Sequence, residues 1–315
     1  MKKPLGILVL LVVLCVATTL VNHRFVSAAN LGNMANVIGL YGIFSIGVGL
    51  VIITGGIDLS VGSMLALVGM LLVLALTEWH WPWPIALLMA LLVSALLGLG
   101  HGLLITRLRL QPFIVTLCGL LLYRGIALFM AKETTKGFGD GAGFSGLRDL
   151  AMGKVFGVPT PFVLLVAISM VMWVILHRSV YGRYLFAVGR SEEAARFSGI
   201  NTRLVIASSY VICALLTGIA AILFAFYTNS ISPSSHGNFY ELYGIAAAVL
   251  GGCSLRGGEG SIIGIVIGTA LLQVLQNLVN LLGIPSSLNF AVMGAVVLIG
   301  VLADGVVQRK GDGTN

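Results

Sequence analysis

Ten apolar stretches, candidates for crossing ~30 Å of hydrocarbon, constrain this chain more than any other feature. They run over 5–21, 34–54, 59–77, 84–106, 112–131, 160–176, 204–227, 242–255, 262–282 and 287–303. Backbone polar groups in lipid have no water to bond, and helices satisfy them within each segment. Charged residues make up 9% of the 315, against about 25% in soluble domains. That is too few to cover a water-facing surface. The expected fold is an all-α polytopic membrane protein, a single transmembrane domain over 1–315, with about ten helices. Some should be broken or re-entrant.

The sharpest break is Gly55-Gly56-Ile57-Asp58-Leu59-Ser60-Val61-Gly62-Ser63, between the second and third stretches. Adjacent glycines release the helix. Asp58 and Ser60, helped by Ser63, are placed to accept from the free N–H groups of the helix that follows. An acid between hydrocarbon-facing segments is costly unless capped, paired or wet. Asp58 therefore either caps the third span or lines a gate at a broken helix. The eighth stretch is short and glycine-flanked, so it too reads as re-entrant or broken. The motif has an echo: Gly55-Gly56-x-Asp58-Leu59-x-x-Gly62 matches Gly251-Gly252-x-Ser254-Leu255-x-x-Gly258 at four identical positions, as a parallel repeat would.

The net charge of +7 is topological and does not point to nucleic acid. With an uncleaved first span and both termini inside, Lys2, Lys3, Arg107, Arg109, Arg178, Arg183, Arg190, Arg196, Arg203, Arg256, Arg309 and Lys310 fall on the cytoplasmic side, 12 of the 18 basic residues. This follows the positive-inside bias. A signal peptide ending near Ser27-Ala28-Ala29 is the alternative to the first span. Trp79, Trp81 and Trp83 then lie at the outer interface, where amphipathic rings are favoured. Residues 132–159 form an external loop and 177–203 a cytoplasmic one. Cys15, Cys118, Cys213 and Cys253 lie in apolar runs without C-x-x-C spacing, so no disulfide or metal site is expected. No Gly-x-x-x-x-Gly-Lys-Ser/Thr loop occurs, so the chain cannot power itself with ATP.

Several polar residues within this frame invite a role. Gln273, Gln276, Asn277 and Asn280, at i, i+3, i+4 and i+7, share one helical face. They either line a path for a neutral, hydroxyl-rich solute or bond neighbouring helices. Glu241 opens the eighth span, as an external contact or a helix cap. His101 and Arg124 lie inside spans, where each should pair with a carbonyl or another polar group. Glu192-Glu193-Ala194-Ala195-Arg196, with Gly199 beyond it, is a strong helix former between glycines. A short amphipathic helix there would suit a groove on another protein.

These residues resemble the ribose-type permeases of bacterial ATP-binding cassette sugar importers. The Gly55–Ser63 motif carries the likeness first. Further matches are Pro112-Phe113-Ile114-Val115-Thr116-Leu117 with Arg124-Gly125, Gly182-Arg183-Tyr184-Leu185 before Ala187-Val188-Gly189, and Glu192–Arg196 with Ser198-Gly199-Ile200. Gly251-Gly252, Ser254-Leu255, Gly257-Gly258, Gly260 and Asn280-Leu281-Leu282-Gly283 complete the series. The resemblance implies a permease paired with a second copy or a paralogue. It also implies two cytoplasmic ATPase subunits that bind ATP and Mg, and a periplasmic sugar-binding protein. Residues 192–200 are similar to the cytoplasmic coupling helix that meets the ATPase. The chain departs from the family at Tyr243, where relatives commonly carry an acid, and at Arg256 and Glu259. The Ile-x-Leu-Pro ending of the coupling loop is also absent.

A charged solute would want fixed counter-charges in the spans, and only Asp58 and Arg124 are available, so a neutral solute is favoured. An ion-coupled secondary transporter would need no coupling loop and would show more intramembrane acids. No nucleophile–base pair or ligand cluster suggests an enzyme.

Overall fold

The computed structural model describes residues 2–139 and 143–285, together with 288, 291–292, 294–295 and 298. The stretch expected over 287–303 therefore lies largely outside the described residues. The chain runs through α1 (Lys2–Val21), a 3-10 turn at His23–Val26, α2 (Ala28–Ile53), α3 (Val61–Thr77), α4 (Trp83–Arg107) and α5 (Pro112–Met130). There follow β1 (Lys136–Gly137), α6 (Ser145–Met152), β2 (Lys154–Val155), β3 (Val158–Pro159), α7 (Thr160–Arg178), α8 (Val180–Arg190) and α9 (Glu192–Phe197). The last described elements are α10 (Thr202–Thr228), β4 (Ser230–Ile231), α11 (Tyr240–Leu250) and α12 (Ile262–Leu281).

Six of these helices, α2, α4, α5, α7, α10 and α12, are long and apolar enough to cross a membrane. Three shorter apolar helices join them: Gly6–Val21 within α1, α3, and α11. The protein is an all-α integral membrane protein whose only strands among the described residues are two small antiparallel ladders, β1 with β4 and β2 with β3. The expected loop over 132–159 thus holds an amphipathic helix and a hairpin.

Two ends of the bundle are distinct. One carries Trp79, Trp81 and Trp83, each about two-fifths exposed, and an ion pair between Lys136 Nζ and Glu78 Oε1 at 2.6 Å. The other carries α8, α9 and the arginines of the α4–α5 turn. α2, α3 and α10 form the core, and α3 is buried along almost its whole length. α4 shows how the sequence sorts its faces. Leu88, Leu92, Leu96, Leu99 and Leu103 are exposed, whereas Ala86, Ala90, Ser94, Gly98 and Gly102 are buried. The small residues recur every fourth position, so one face of α4 closes on the α10 backbone. A Cβ on Gly98 would meet Tyr210 O and Ala214, and one on Gly102 would meet Ala207.

At the basic end, three segments converge on the end of α2. Gly258 N donates to Ile53 O at 2.9 Å, and Gly189 lies against both Ile53 O and Gly258 N. A side chain at 189 has nowhere to go. Gly189→Val should destabilise the purified protein by roughly 1–3 kcal/mol, the usual range for overpacking, read as a lower melting midpoint in detergent. An unchanged midpoint would contradict this packing.

Candidate functional site

The break between α2 and α3 is built from the backbone outward. Gly55 takes φ +83°, and its N–H donates to Ile52 O at 2.8 Å, while Gly56 N donates to Val51 O at 3.0 Å. This is a Schellman closure, which satisfies the last carbonyls of a helix. Asp58 then folds a tight turn, its Oδ1 accepting from Ser60 N at 2.9 Å and Ser60 Oγ at 2.7 Å. Ser63 Oγ donates to Ser60 O at 2.8 Å. The carbonyl of Ile57 accepts from Tyr210 at 3.4 Å and lies 3.3 Å from Thr116 Oγ1. Asp58 is buried. It orders the approach to α3 and leaves the first-turn N–H groups of that helix to another acceptor, because Ser60 at the N-cap makes no side-chain capping bond.

The second glycine motif repeats this construction. Gly252 takes φ +91°, with Gly252 N donating to Val249 O at 2.9 Å and Cys253 N to Ala248 O at 2.9 Å. Ser254 Oγ accepts from Arg256 N at 3.3 Å, the same two-residue reach as from Asp58 to Ser60. The left-handed glycine is Gly252, one position later than the sequence echo aligns it. The two loops touch: a Cβ on Gly257 would meet Gly55.

The segment 192–199 sits beside the first break. Ser191 Oγ accepts from Ala194 N at 3.2 Å, capping α9, and Glu192 Oε1 accepts from Thr202 Oγ1 at 3.1 Å. Gly199, at φ +82°, ends the helix. Ala195 is the buried residue of α9, while Glu193, Ala194, Arg196 and Gly199 are exposed and Phe197 is 79% exposed. A cavity of about 590 Å³ separates α9 from the break; its lining includes Gly55, Gly56, Arg109, Gln111, Glu192, Glu193, Arg196, Arg203 and Tyr210. Two stretches far apart in the sequence therefore share one cavity wall.

Two of the four α12 amides, Gln276 and Asn277, find partners on other elements. Asn277 and Asn30 on α2 exchange hydrogen bonds at 3.1 and 2.8 Å, and Gln276 Nε2 donates to Tyr243 Oη at 3.3 Å. Gln273 is buried and Asn280 exposed. Tyr243 belongs to an aromatic group with Tyr41, Phe44, Phe224 and Tyr240. Asn30 and this aromatic group were missed by sequence reasoning, although Asn30, Asn33 and Asn36 recur at three-residue intervals.

Several polar residues within the spans find partners, although Asn36 Oδ1, His101 Nδ1, Ser169 Oγ and His236 Nε2 are buried without one. Tyr123 Oη lies 2.8 Å from His101 Nε2, and Arg124 Nη1 donates to Pro233 O at 2.8 Å and His236 O at 2.7 Å. Glu241 is only 7% exposed, and its carboxylate lies against Gly62 in the first turn of α3, where Ser60 makes no side-chain capping bond.

Residues 30–301 match the family described as branched-chain amino acid transport system / permease component. The chain belongs to this permease family. It is a family of transporter components and not of enzymes. Along most of its length the chain is similar to the ribose import permease protein RbsC of Escherichia coli K12, with 37% identity over 307 residues, 96% of this chain and 94% of that protein. The Bacillus subtilis ribose import permease protein RbsC is 36% identical over 303 residues, 96% and 92% of the two chains. The Escherichia coli galactofuranose transporter permease protein YtfT is 33% identical over 256 residues, 81% and 74%. No solved structure matches the chain.

The thiols separate by position in the permease. Cys213 and Cys253, the latter behind the second glycine loop, are buried, whereas Cys118 faces outward on α5. At pH 7 a maleimide should leave Cys213 and Cys253 unmodified until the protein is denatured. Labelling of Cys253 in the native protein would contradict its burial.

Proposed function

We propose that this chain is the membrane-spanning subunit of an ATP-binding cassette importer that carries a monosaccharide, a ribose-like pentose or a hexose, across the bacterial inner membrane. The observation that carries the reading is similarity along most of the chain to permeases named for ribose, together with those named for xylose and galactofuranose. The family description names branched-chain amino acids. A zwitterionic solute would want counter-charges on its path, but Asp58 and Arg124 are bonded to this chain's own turns or backbone, and Glu241 lies against Gly62. A neutral, hydroxyl-rich solute suits amides better, so a nucleoside or furanosyl signal molecule ranks after a sugar and before an amino acid.

On this reading the chain crosses the membrane ten times with both termini in the cytoplasm, following the arginine-rich end. It pairs with a second permease, a copy or a paralogue. ATP and Mg belong to two cytoplasmic ATPase subunits, and a periplasmic binding protein delivers the sugar to the tryptophan end. Glu192, Glu193, Ala194, Ala195, Arg196 and Gly199 form the coupling helix, whose exposed face and Phe197 suit a groove on the ATPase. Gly55, Gly56, Asp58, Ser60 and Gly62 form the gate beside it. Gln273, Gln276, Asn277 and Asn280 are assigned to the path of the sugar. Glu241, sequestered inside the bundle, belongs to the gate; the external contact considered for it has no support in its burial.

The function is tested by reconstituting the complex in liposomes with its ATPase and binding protein. ATP-dependent, saturable uptake of a labelled pentose or hexose is expected, with none of leucine; the reverse pattern would refute the sugar reading. In the same liposomes, Glu193→Lys or Gly199→Leu should cut uptake roughly tenfold or more while leaving membrane insertion intact. Unchanged uptake in both variants would sink the docking role of α9. Asn277→Leu should slow uptake without dissociating the permease pair; a dissociated pair with normal residual kinetics would assign Asn277 to helix packing alone.

A further inference from the structure

The first turns of α3 and α11 meet inside the bundle, and glycine backbones form the crossing. A Cβ on Gly62 would strike Gly237 O and the Glu241 carboxylate, and one on Gly237 would strike Gly62 O. Gly237 also needs φ +72°. At this crossing a single carboxylate lies between two helix starts: Glu241, in the first turn of α11, sits against Gly62 in the first turn of α3. Each helix start carries unsatisfied N–H groups and roughly half a positive charge. Two such ends facing one another repel unless an anion lies between them.

Arg124 completes the arrangement from a third helix. It stands about 18 Å along α5 from Pro112, at about 1.5 Å per residue. Its guanidinium holds the carbonyls of Pro233 and His236, on the loop that leads into Glu241, and its charge favours the carboxylate. His236 lies against Phe224 at 6.3 Å between ring centroids. The joint therefore ties α3, α5 and α11 together, while α3 leads back through Asp58 to the break beside α9.

We propose that Glu241 and Arg124 are positioning residues for transport: the carboxylate holds the two half-helix ends together so that displacement of the Gly55–Ser60 break is passed to α11. The inference rests on the importer reading for what the displacement accomplishes, but the joint itself is specific to these residues. Neither residue touches the solute. Removing the charge while keeping an acceptor of the same shape should leave two positive helix ends facing each other and let them part.

The test uses the assembled complex in nanodiscs and liposomes, with wild type, Glu241→Gln, Glu241→Asp and Arg124→Gln. Sugar uptake per ATP hydrolysed should fall roughly tenfold or more in Glu241→Gln and Arg124→Gln with ATPase activity retained, and Glu241→Asp should recover part of it. Wild-type uptake per ATP in Glu241→Gln overturns the proposal, as does an equal loss in Glu241→Gln and Glu241→Asp. Amide exchange at 61–64 and 240–243 is read in the same samples and is independent of the solute carried. ATP should change both segments together in wild type and separately in Glu241→Gln; segments that stay linked in Glu241→Gln overturn the proposal even if the complex folds and hydrolyses ATP normally. A wild type that moves an amino acid and no sugar refutes the substrate class, and the exchange data still decide the joint.

Discussion

A helix that stops inside a bilayer must find partners for backbone groups that water cannot reach. Among the described residues α2 stops at Ile53 before α3 starts at Val61, and the short α11 starts at Tyr240 and stops at Leu250. Each stop is closed by a left-handed glycine, Gly55 or Gly252, which turns the last N–H donors back onto the helix. The starts are harder to satisfy, because no side chain of α3 caps its own first turn. The Glu241 carboxylate lies at that place from another helix, so the two broken units are solved jointly. The remaining architecture, from the small-residue face of α4 to the carbonyl grip of Arg124, holds this pair of breaks in register.

The parts differ in how freely they can move. α3 is enclosed by neighbours, and the α4–α10 contact is backbone on backbone at Gly98 and Gly102. Interiors packed so closely shift as units and do not deform continuously. α9 is different: it is short, exposed on most of its surface and separated from the Gly55 break by a cavity of about 590 Å³. In the importer proposed above, a partner pressing on α9 would have space to move it towards the break, which shares the cavity wall. Coupling by this route needs no long pathway of side chains.

Much of this was legible in the sequence. Apolar runs of this length mark helices, because burial in lipid leaves little choice of secondary structure, although α2 starts at Ala28 and not at 34, and α11 ends at Leu250 and not at 255. The glycine pairs mark both breaks, and Ser191, Glu192 and Gly199 bound α9 by ordinary capping chemistry. Two things were less visible. The echo of the first motif is one residue out of structural register, because Gly252 and not Gly251 takes the left-handed turn. The role of Glu241 was open between a contact and a cap, since its partner Gly62 is remote in sequence and only the tertiary fold brings them together. The α12 amides illustrate the same limit: their shared face follows from spacing, but Asn30 and Tyr243 as partners do not.

The central claim is that movement of the exposed α9 is passed across the cavity to the first helix break. Spin labels at Phe197 on α9, which is exposed, and at Thr54 beside the first break, in the cavity wall, report the distance between the two. Their distance distribution should be measured in nanodiscs, in the complete complex, with and without ATP. A distribution that shifts on ATP binding is the predicted result. An unchanged distribution in a complex that still transports would contradict the account.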